Sequence, residues 1–379
     1  MAYFRNTAIN LLNLHYGIHA TAQFGGGAFY LVFMLKQGIS VPLALVAMAS
    51  ILAGRFLIRP AVLPLAVRFG LRPLLVAGTL ASALQFPFIA EVDGTSAALF
   101  AFCAIASLSD TFYWTTYHAY FASLGDAQHR GHQLGLREAV VALVGIVSPL
   151  LTAWALVTWG PRVAFGMSAV IQLAAALPLF LTPNVTVAPH VPGAFKAGLR
   201  GTILFITDGW IGACYVFVWQ LALFLSLGES FMSYGGALAI AALVGAAGSL
   251  VLGRHIDAGH GGRAVWIAGG LLALTILLRG AAVGHATLAI IANALGALVA
   301  AIYTPTLMTA VYNLAKASPC ALRFHVATEG GWDAGGSLGC LVAALLIYMG
   351  APLGAVISLA LLGVAASSIL LRRYYAGQS

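Results

Sequence analysis

Charge is what this chain has least of. Only 7% of its 379 residues are Asp, Glu, Lys or Arg, while 61% are hydrophobic, and its mean hydropathy is +0.97. Soluble domains carry about a quarter charged residues, so a water-facing globular surface is excluded. Cysteine is nearly as scarce. Cys103, Cys214, Cys320 and Cys340 stand apart in apolar stretches, with no paired or CxxC spacing, which argues against a disulfide framework or a thiolate metal site. No Walker lysine follows the glycines at Gly25-Gly26-Gly27, and no strand–helix context surrounds them, so no nucleotide cofactor is expected. HExxH, Ser/Lys and paired-Asp protease patterns are missing, as is a soluble effector domain. An intramembrane enzyme or a receptor therefore finds no support, and neither a cofactor nor a metal is expected.

What the chain does have is apolar runs. A membrane-spanning helix needs roughly 20 such residues. Punctuation by charge, Gly and Pro predicts twelve spans near 10–36, 41–67, 73–91, 95–124, 131–158, 161–182, 199–227, 231–256, 263–283, 285–316, 319–349 and 351–371. The first reads as a retained span rather than a cleaved signal peptide. The net charge of +8 could suggest a nucleic-acid partner, but its distribution does not. Arg5, Arg68, Arg72, Arg130, Lys196, Arg200, Arg254, Arg263, Lys316, Arg372 and Arg373 fall on one side of the spans. Lys36, Arg162 and the acids Glu91, Asp93 and Glu229 fall on the other. The positive-inside rule then predicts cytoplasmic termini in a plasma (inner) membrane, with the lipid bilayer as partner. Asn184-Val185-Thr186 matches a glycosylation sequon, but this topology puts it on the cytoplasmic side.

Shifted by about 190 residues, the chain aligns with itself. Leu35-Lys36-Gln37-Gly38-Ile39-Ser40 falls on Leu225-Ser226-Leu227-Gly228-Glu229-Ser230, and one further residue of shift puts Glu138 on Glu329 and Gly145 on Gly336. The pattern predicts an all-α membrane protein of two pseudo-symmetric six-helix bundles, 1–182 and 199–379, joined by a Pro-rich cytoplasmic linker at 183–198.

Leu65-Ala66-Val67-Arg68-Phe69-Gly70-Leu71-Arg72-Pro73 resembles the loop between helices 2 and 3 of the major facilitator superfamily. Gly253-Arg254-His255-Ile256-Asp257-Ala258-Gly259-His260-Gly261-Gly262-Arg263 is similar to its degenerate repeat between helices 8 and 9. Arg130-Gly131, Gly135-Leu136-Arg137-Glu138-Ala139, Gly145 and Ser148-Pro149-Leu150-Leu151 resemble helix 5. The resemblance covers the whole chain and implies a transporter with its substrate site between the halves near the midplane. It also implies cytoplasmic gating by Arg68, Arg72, Arg130, Arg137, Glu138 and Asp257, with Asp257 paired to Arg130 or Arg137. Val67 replaces the family's usual acid, so Arg323 is expected to lack the mirror partner. Drug:proton antiporters are resembled only in part: Ser148-Pro149 stands for their Gly-Pro pair, and Asp110 occupies the polar position of helix 4 where they carry an Arg motif.

Polar residues recur at i, i+4, the spacing that stacks side chains on one helix face. His15, His19 and Gln23 do so on helix 1, Arg55 and Arg59 on helix 2, Asp110, Trp114 and His118 on helix 4, and Glu329 and Asp333 on helix 11. Ionisable residues deep in a membrane usually face a cavity or an ion path. Arg55 is expected to meet a carboxylate, Asp110 first, or an anionic substrate group, whereas Arg59 has a stem long enough to snorkel to the headgroups. His15 and His19 read equally as interhelical hydrogen-bonders or cavity residues. Glu329, Asp333, Asp208 and Asp110 are the proton-coupling candidates. Arg55, His19, Gln23, Tyr113, Trp114, Tyr117, Tyr303 and Trp332 are the substrate-binding candidates. Gly331, Gly335 and Gly339 form a small-residue ridge suited to close helix packing. The expected activity is secondary transport of a small organic solute by a monomer, coupled to protons, with efflux antiport as one form. The alternative is uptake or facilitated diffusion of a small anionic solute or metal chelate anchored by Arg55.

Overall fold

The structure is a computed structural model that describes residues 6–124, 130–256 and 261–376, with side chains described outside 125–139 and 249–262. Among the described residues there is no strand. Twelve helices are long and apolar enough to cross a bilayer. They are α1 (Thr7–Lys36), α2 (Val41–Phe69), α3 (Leu71–Ala90), α4 (Ala97–Leu124), α5 (Arg130–Thr158) and α6 (Pro161–Phe180), then α7 (Ala194–Ser226), α8 (Phe231–Ile256), α9 (Gly261–Ala282), α10 (Ala286–Ala317), α11 (Ala321–Tyr348) and α12 (Leu353–Ala376). The largest departures from expectation are five residues each: α12 runs on to Ala376 rather than 371, and α7 begins at Ala194, after left-handed Gly193, rather than at 199. Lys196 interrupts the apolar run, but an exposed lysine at a helix end keeps its head in water. Large apolar side chains such as Leu57, Phe100, Leu177 and Leu362 cover the outside, where hydrocarbon rather than water is their natural solvent.

The repeat seen in sequence recurs in the backbone. Positive-φ glycines come in pairs, Gly38 with Gly228, Gly94 with Gly284 and Gly160 with Gly350, each pair 190 residues apart. Glycine reaches this region without a Cβ penalty. At the first pair the helix ends match bond for bond. Ile39 N–H donates to the Met34 carbonyl and Glu229 N–H to the Phe224 carbonyl, which satisfies carbonyls a helix end would otherwise orphan.

Three helices break where chemistry is found. In α1 the helix stops at Gly25 and continues through a 3₁₀ turn, Gly26–Phe29. A Cβ on Gly26 would press on Phe86 and Ser168, so this glycine serves both bend and contact. In α2, Pro60 has no N–H to give to the preceding turn, and a 3₁₀ turn covers Arg59–Ala61. In α7 a π turn spans Gly212–Phe217, a form concentrated at functional sites. Arg279 of α9, buried, donates Nη1 to the Tyr215 carbonyl at 2.7 Å and lies 3.8 Å from the Tyr215 ring centroid, so the wide turn keeps its backbone partner.

The bundles meet along α2–α11 and α5–α8. At the end opposite the termini, Phe29 and Phe33 pack on Phe231. Phe29 also meets Tyr234, whose hydroxyl donates to the Ala28 carbonyl at 3.3 Å. Lys36 and Glu229 close the rim at 3.4 Å. That end is sealed across the halves. Within the second bundle α7 lies against the glycine ridge of α11. A Cβ at Gly331 or Gly335 would overlap the Thr202 or Ile206 carbonyl, and one at Gly339 would come 2.6 Å from the Ala213 Cβ. The packing role expected of these glycines is therefore the observed one.

A charge cluster between the bundles as candidate functional site

Three polar stripes converge on the bundle interface. Asp333 of α11 is 0% exposed, Arg59 2%, Arg55 6% and Glu329 8%. Arg59 directs Nε (3.0 Å) and Nη2 at Asp333 Oδ2, and its Nη1 donates to Thr115 of α4 at 2.5 Å. Arg55 Nε lies 2.9 Å from Asp333 Oδ1. Its two other nitrogens reach Glu329 Oε2 and Asp110 Oδ2, each at 3.7 Å. One carboxylate of the second bundle is thus clasped by two guanidiniums of the first. Burying one such charge without a partner is costly, so each holds the others in place. Arg59 shares this face with Arg55 because it follows four residues later, its N–H still bonded to the Arg55 carbonyl.

Two expectations need correction. Arg59 does not reach for headgroups, because it lies buried on the same inward face as Arg55, where Asp333 repays its desolvation. Asp110 is a partner of Arg55 but not the nearest, since Asp333 approaches more closely from the other bundle. Glu329 and Asp333, which have no cation near them in sequence, receive theirs from α2. The sequence reading also missed His325. It lies one turn before Glu329 on the same face, stacks on His118 of α4 with ring centroids 5.5 Å apart, and extends the stripe to 325, 329 and 333. His118 Nε2 stands 4.0 Å from Glu329 Oε1.

Trp332 and Asp208 form a neighbouring group. The indole Nε1 donates to Asp208 Oδ2 at 3.2 Å, and the Arg55 guanidinium lies 5.5 Å from the ring centroid. Tyr303 is buried within the second bundle, its hydroxyl 3.0 Å from Ser367.

His19, Gln23, Tyr113 and Tyr117 belong elsewhere. His15 Nδ1 donates to the Ala175 carbonyl (2.7 Å) and Nε2 accepts from the Tyr113 hydroxyl (3.1 Å). His19 Nδ1 pairs with the Gln172 side-chain amide, 3.1 Å from Oε1 and 3.0 Å from Nε2, and its ring stacks on Tyr113 at 3.9 Å. Gln23 donates to Ser82 at 3.2 Å. Tyr117 stacks on Tyr113 and Tyr16, while half-buried Trp114 stacks on His118. The histidine stripe of α1 takes the interhelical role, inside the first bundle.

The family model for the Major Facilitator Superfamily matches residues 14–339. The chain belongs to the Major Facilitator Superfamily. Among solved structures, a POT family transporter in complex with 5-aminolevulinic acid superposes with TM-score 0.72 at 12% identity, over 96% of this chain and 95% of that one. The human organic anion transporter MFSD10 (TETRAN) gives 0.71 at 15% identity, over 96% and 99%. The POT family transporter PepTSo gives 0.68 at 12% identity, over 99% of each. No curated protein matches. At such identities the likeness is one of fold, and with the family it marks an integral multi-pass transporter of small substrates rather than an enzyme.

Of the superfamily's gating positions, Asp257 and the side chains of Arg130, Arg137 and Glu138 lie outside the described residues. Arg68 is exposed beside Phe69. Arg72 donates to the Thr182 carbonyl at 2.8 Å, a contact with the end of its own bundle. The linker takes up the remainder. Asn184 accepts from Arg72 N–H and donates to the Phe69 carbonyl, and Leu71 N–H donates to the Val185 carbonyl. Arg323, at the start of α11, gives Nη2 to the carbonyls of Ala188 and Pro189, both at 2.9 Å. Among the described residues it has no carboxylate partner, in keeping with Val67, and linker carbonyls stand in that place.

Proposed function

We propose that this superfamily member is a proton-coupled secondary transporter of a small organic solute, working by alternating access between bundles 1–182 and 199–379. The observation that carries the reading is Asp333, fully buried and held by Arg55 and Arg59 of the opposite bundle. Rocking the bundles must part this clasp, and a carboxylate parted from its cations in an apolar interior needs a proton or another cation. The charge count points the same way. Asp110, Glu329 and Asp333 face two guanidiniums, so the cluster carries surplus negative charge that a proton neutralises. An anionic solute anchored by Arg55 would meet that surplus, which disfavours the uptake alternative. Protein-bound 5-aminolevulinic acid in one transporter of similar fold and a thioalcohol conjugated peptide in another support a small organic cargo. The basic loops support cytoplasmic termini in a plasma (inner) membrane, and the partial likeness to drug:proton antiporters supports the efflux direction.

The test uses purified protein in vesicles holding a pH-sensitive dye. A solute found by thermal-shift screening should drive proton movement through the wild type. Asp333→Asn should bind that solute and exchange it without moving protons. Unchanged proton movement in Asp333→Asn and Glu329→Gln alike would sink the coupling assignment.

A further inference from the structure

Asp208 differs from the other membrane-embedded carboxylates. Asp110, Glu329 and Asp333 each have a guanidinium within 4 Å, whereas Asp208 has no basic group at that range among the described residues. Among the described residues its one hydrogen bond comes from the Trp332 indole. The ring is held in place from below. A Cβ on Gly209 would overlap the Trp332 carbonyl, and one on Gly212 would lie 3.2 Å from the indole. Gly212, one turn from Asp208 on the same α7 face, leaves room for the ring, while Gly209 admits the Trp332 backbone. Phe217 meets Trp332 edge-on at 6.3 Å, and Tyr303 and Glu329 lie within electrostatic range of Asp208.

A half-buried carboxylate at the N–H edge of an indole, with Phe217 against the same ring, offers an organic cation both a charge and aromatic surface. Carboxylate and aromatic face both attract an ammonium, the latter through its quadrupole, and a neutral indole N–H is the weaker partner that an ammonium would displace. The pairing also sits across the interface from the arginines, because Trp332 lies between Asp208 and Arg55. A cation at Asp208 would therefore be felt at the clasp through one shared ring. We infer that Asp208, walled by Trp332 and its neighbour Phe217, binds the ammonium group of an organic-cation substrate. This rests on the transport reading, to which it adds a substrate class and a recognition residue.

Thermal unfolding of the detergent-purified full chain provides the test, because a ligand in excess raises the apparent Tm by mass action. The probes are primary, tertiary and quaternary aryl-alkyl and alkyl ammonium ions, each run beside its neutral alcohol and its carboxylate isostere. At least one ammonium should raise the Tm in a saturable way while its isosteres do not. Asp208→Asn should weaken that binding by tenfold or more, and Trp332→Phe by less. Asp208→Glu, which keeps the charge one methylene away, should retain binding with an altered size preference, and it serves as the readout if Asp208→Asn fails to fold. The inference is overturned if no ammonium acts on the wild type, if the carboxylate isosteres stabilise it instead, or if Asp208→Asn binds as well as the wild type. Detergent binding at Asp208 does not depend on proton movement, so failure here leaves the Asp333 vesicle result standing, and the converse also holds.

Discussion

The interior of the first bundle and the interface between the bundles are both polar, yet they are built in opposite ways. Inside the first bundle the groups are imidazole, hydroxyl and amide, hydrogen-bonded to one another except at His19 Nε2: His15, His19, Tyr113, Gln172 and the Thr79 carbonyl link α1, α3, α4 and α6. At the interface the groups are ionisable, and among the described residues the carboxylates of the second bundle find their guanidinium partners only in the first: α2 brings two arginines and α11 brings Glu329 and Asp333. A network closed within one body rigidifies that body. A network divided between two bodies joins them only while they touch, which suits a contact that must be made and broken in each cycle.

The sharpest way to break the comparison is Asp333→Ala. It leaves Arg55 with Asp110 and Glu329 at 3.7 Å and Arg59 with only Thr115 among the described residues, and losing one partner of a buried ion pair costs about 3–5 kcal/mol. The Tm in detergent should fall more than for any other single change named here. Removing the opposing charges as well, in Arg55→Gln/Arg59→Gln/Asp333→Asn, should recover part of the loss, while proton movement stays abolished. A triple variant no more stable than Asp333→Ala would show that the charges are not held by one another.

His19→Ala and Gln172→Leu probe the other region. Each strands a buried partner, so each should cost about 1–3 kcal/mol. Because both lie inside one bundle, substrate-driven proton movement in the folded fraction should keep the wild-type pH profile. A displaced profile would move His19 into the working site, the role its sequence position had suggested.

How far the sequence reaches follows the same division. Apolar run length gives the twelve spans, and the 190-residue shift gives the repeat, because both are properties of the chain itself. Periodicity likewise shows that Arg55 shares a face with Arg59, and Glu329 with Asp333. It does not show what lies opposite that face. Arg59 therefore reads as able to reach the headgroups until Asp333 is seen opposite it, and His15 and His19 stay open between interhelical and cavity roles until α6 supplies Gln172 and the Ala175 carbonyl. Arg323 makes the point again. Its expected lack of a carboxylate is legible in Val67, but its linker carbonyls are not, since a backbone acceptor has no sequence signature.

Arg323→Gln tests whether those carbonyls matter. Two charge-assisted bonds to the linker are lost from a buried site, and the expected cost is about 1–3 kcal/mol, moderated by water that reaches the linker. The sharper readout is proteolysis. Lys196 is exposed just beyond the tethered segment, and limited trypsin cleavage there should accelerate in the variant and revert with Arg323→Lys only in part. Equal cleavage rates would mean that the linker is held by its contacts with Leu71 and Arg72 alone.

The smallest effects are expected from two ion pairs on the rim opposite the termini, and their difference refines the argument. Lys36–Glu229 spans the bundles and is about half exposed, whereas Arg162 holds Glu91 bidentately at 2.7 and 2.9 Å within one bundle, fully in solvent. That hydrogen-bonded guanidinium keeps the Glu91 carboxyl below its ordinary value of 4.5. Its contribution is therefore present above the unfolded value and disappears as pH falls through the folded one. Exposed pairs contribute roughly 0–1 kcal/mol and fade with salt, so geometry alone would rank Glu91 first. Position in the cycle reverses that order for transport. Glu229→Gln should favour opening of the sealed end by at most a fewfold, raising cysteine labelling of a probe placed at Phe33 at low salt and not at high salt. Glu91→Gln should leave the labelling unchanged at any salt, since Arg162 and Glu91 ride on the same bundle however the two halves move.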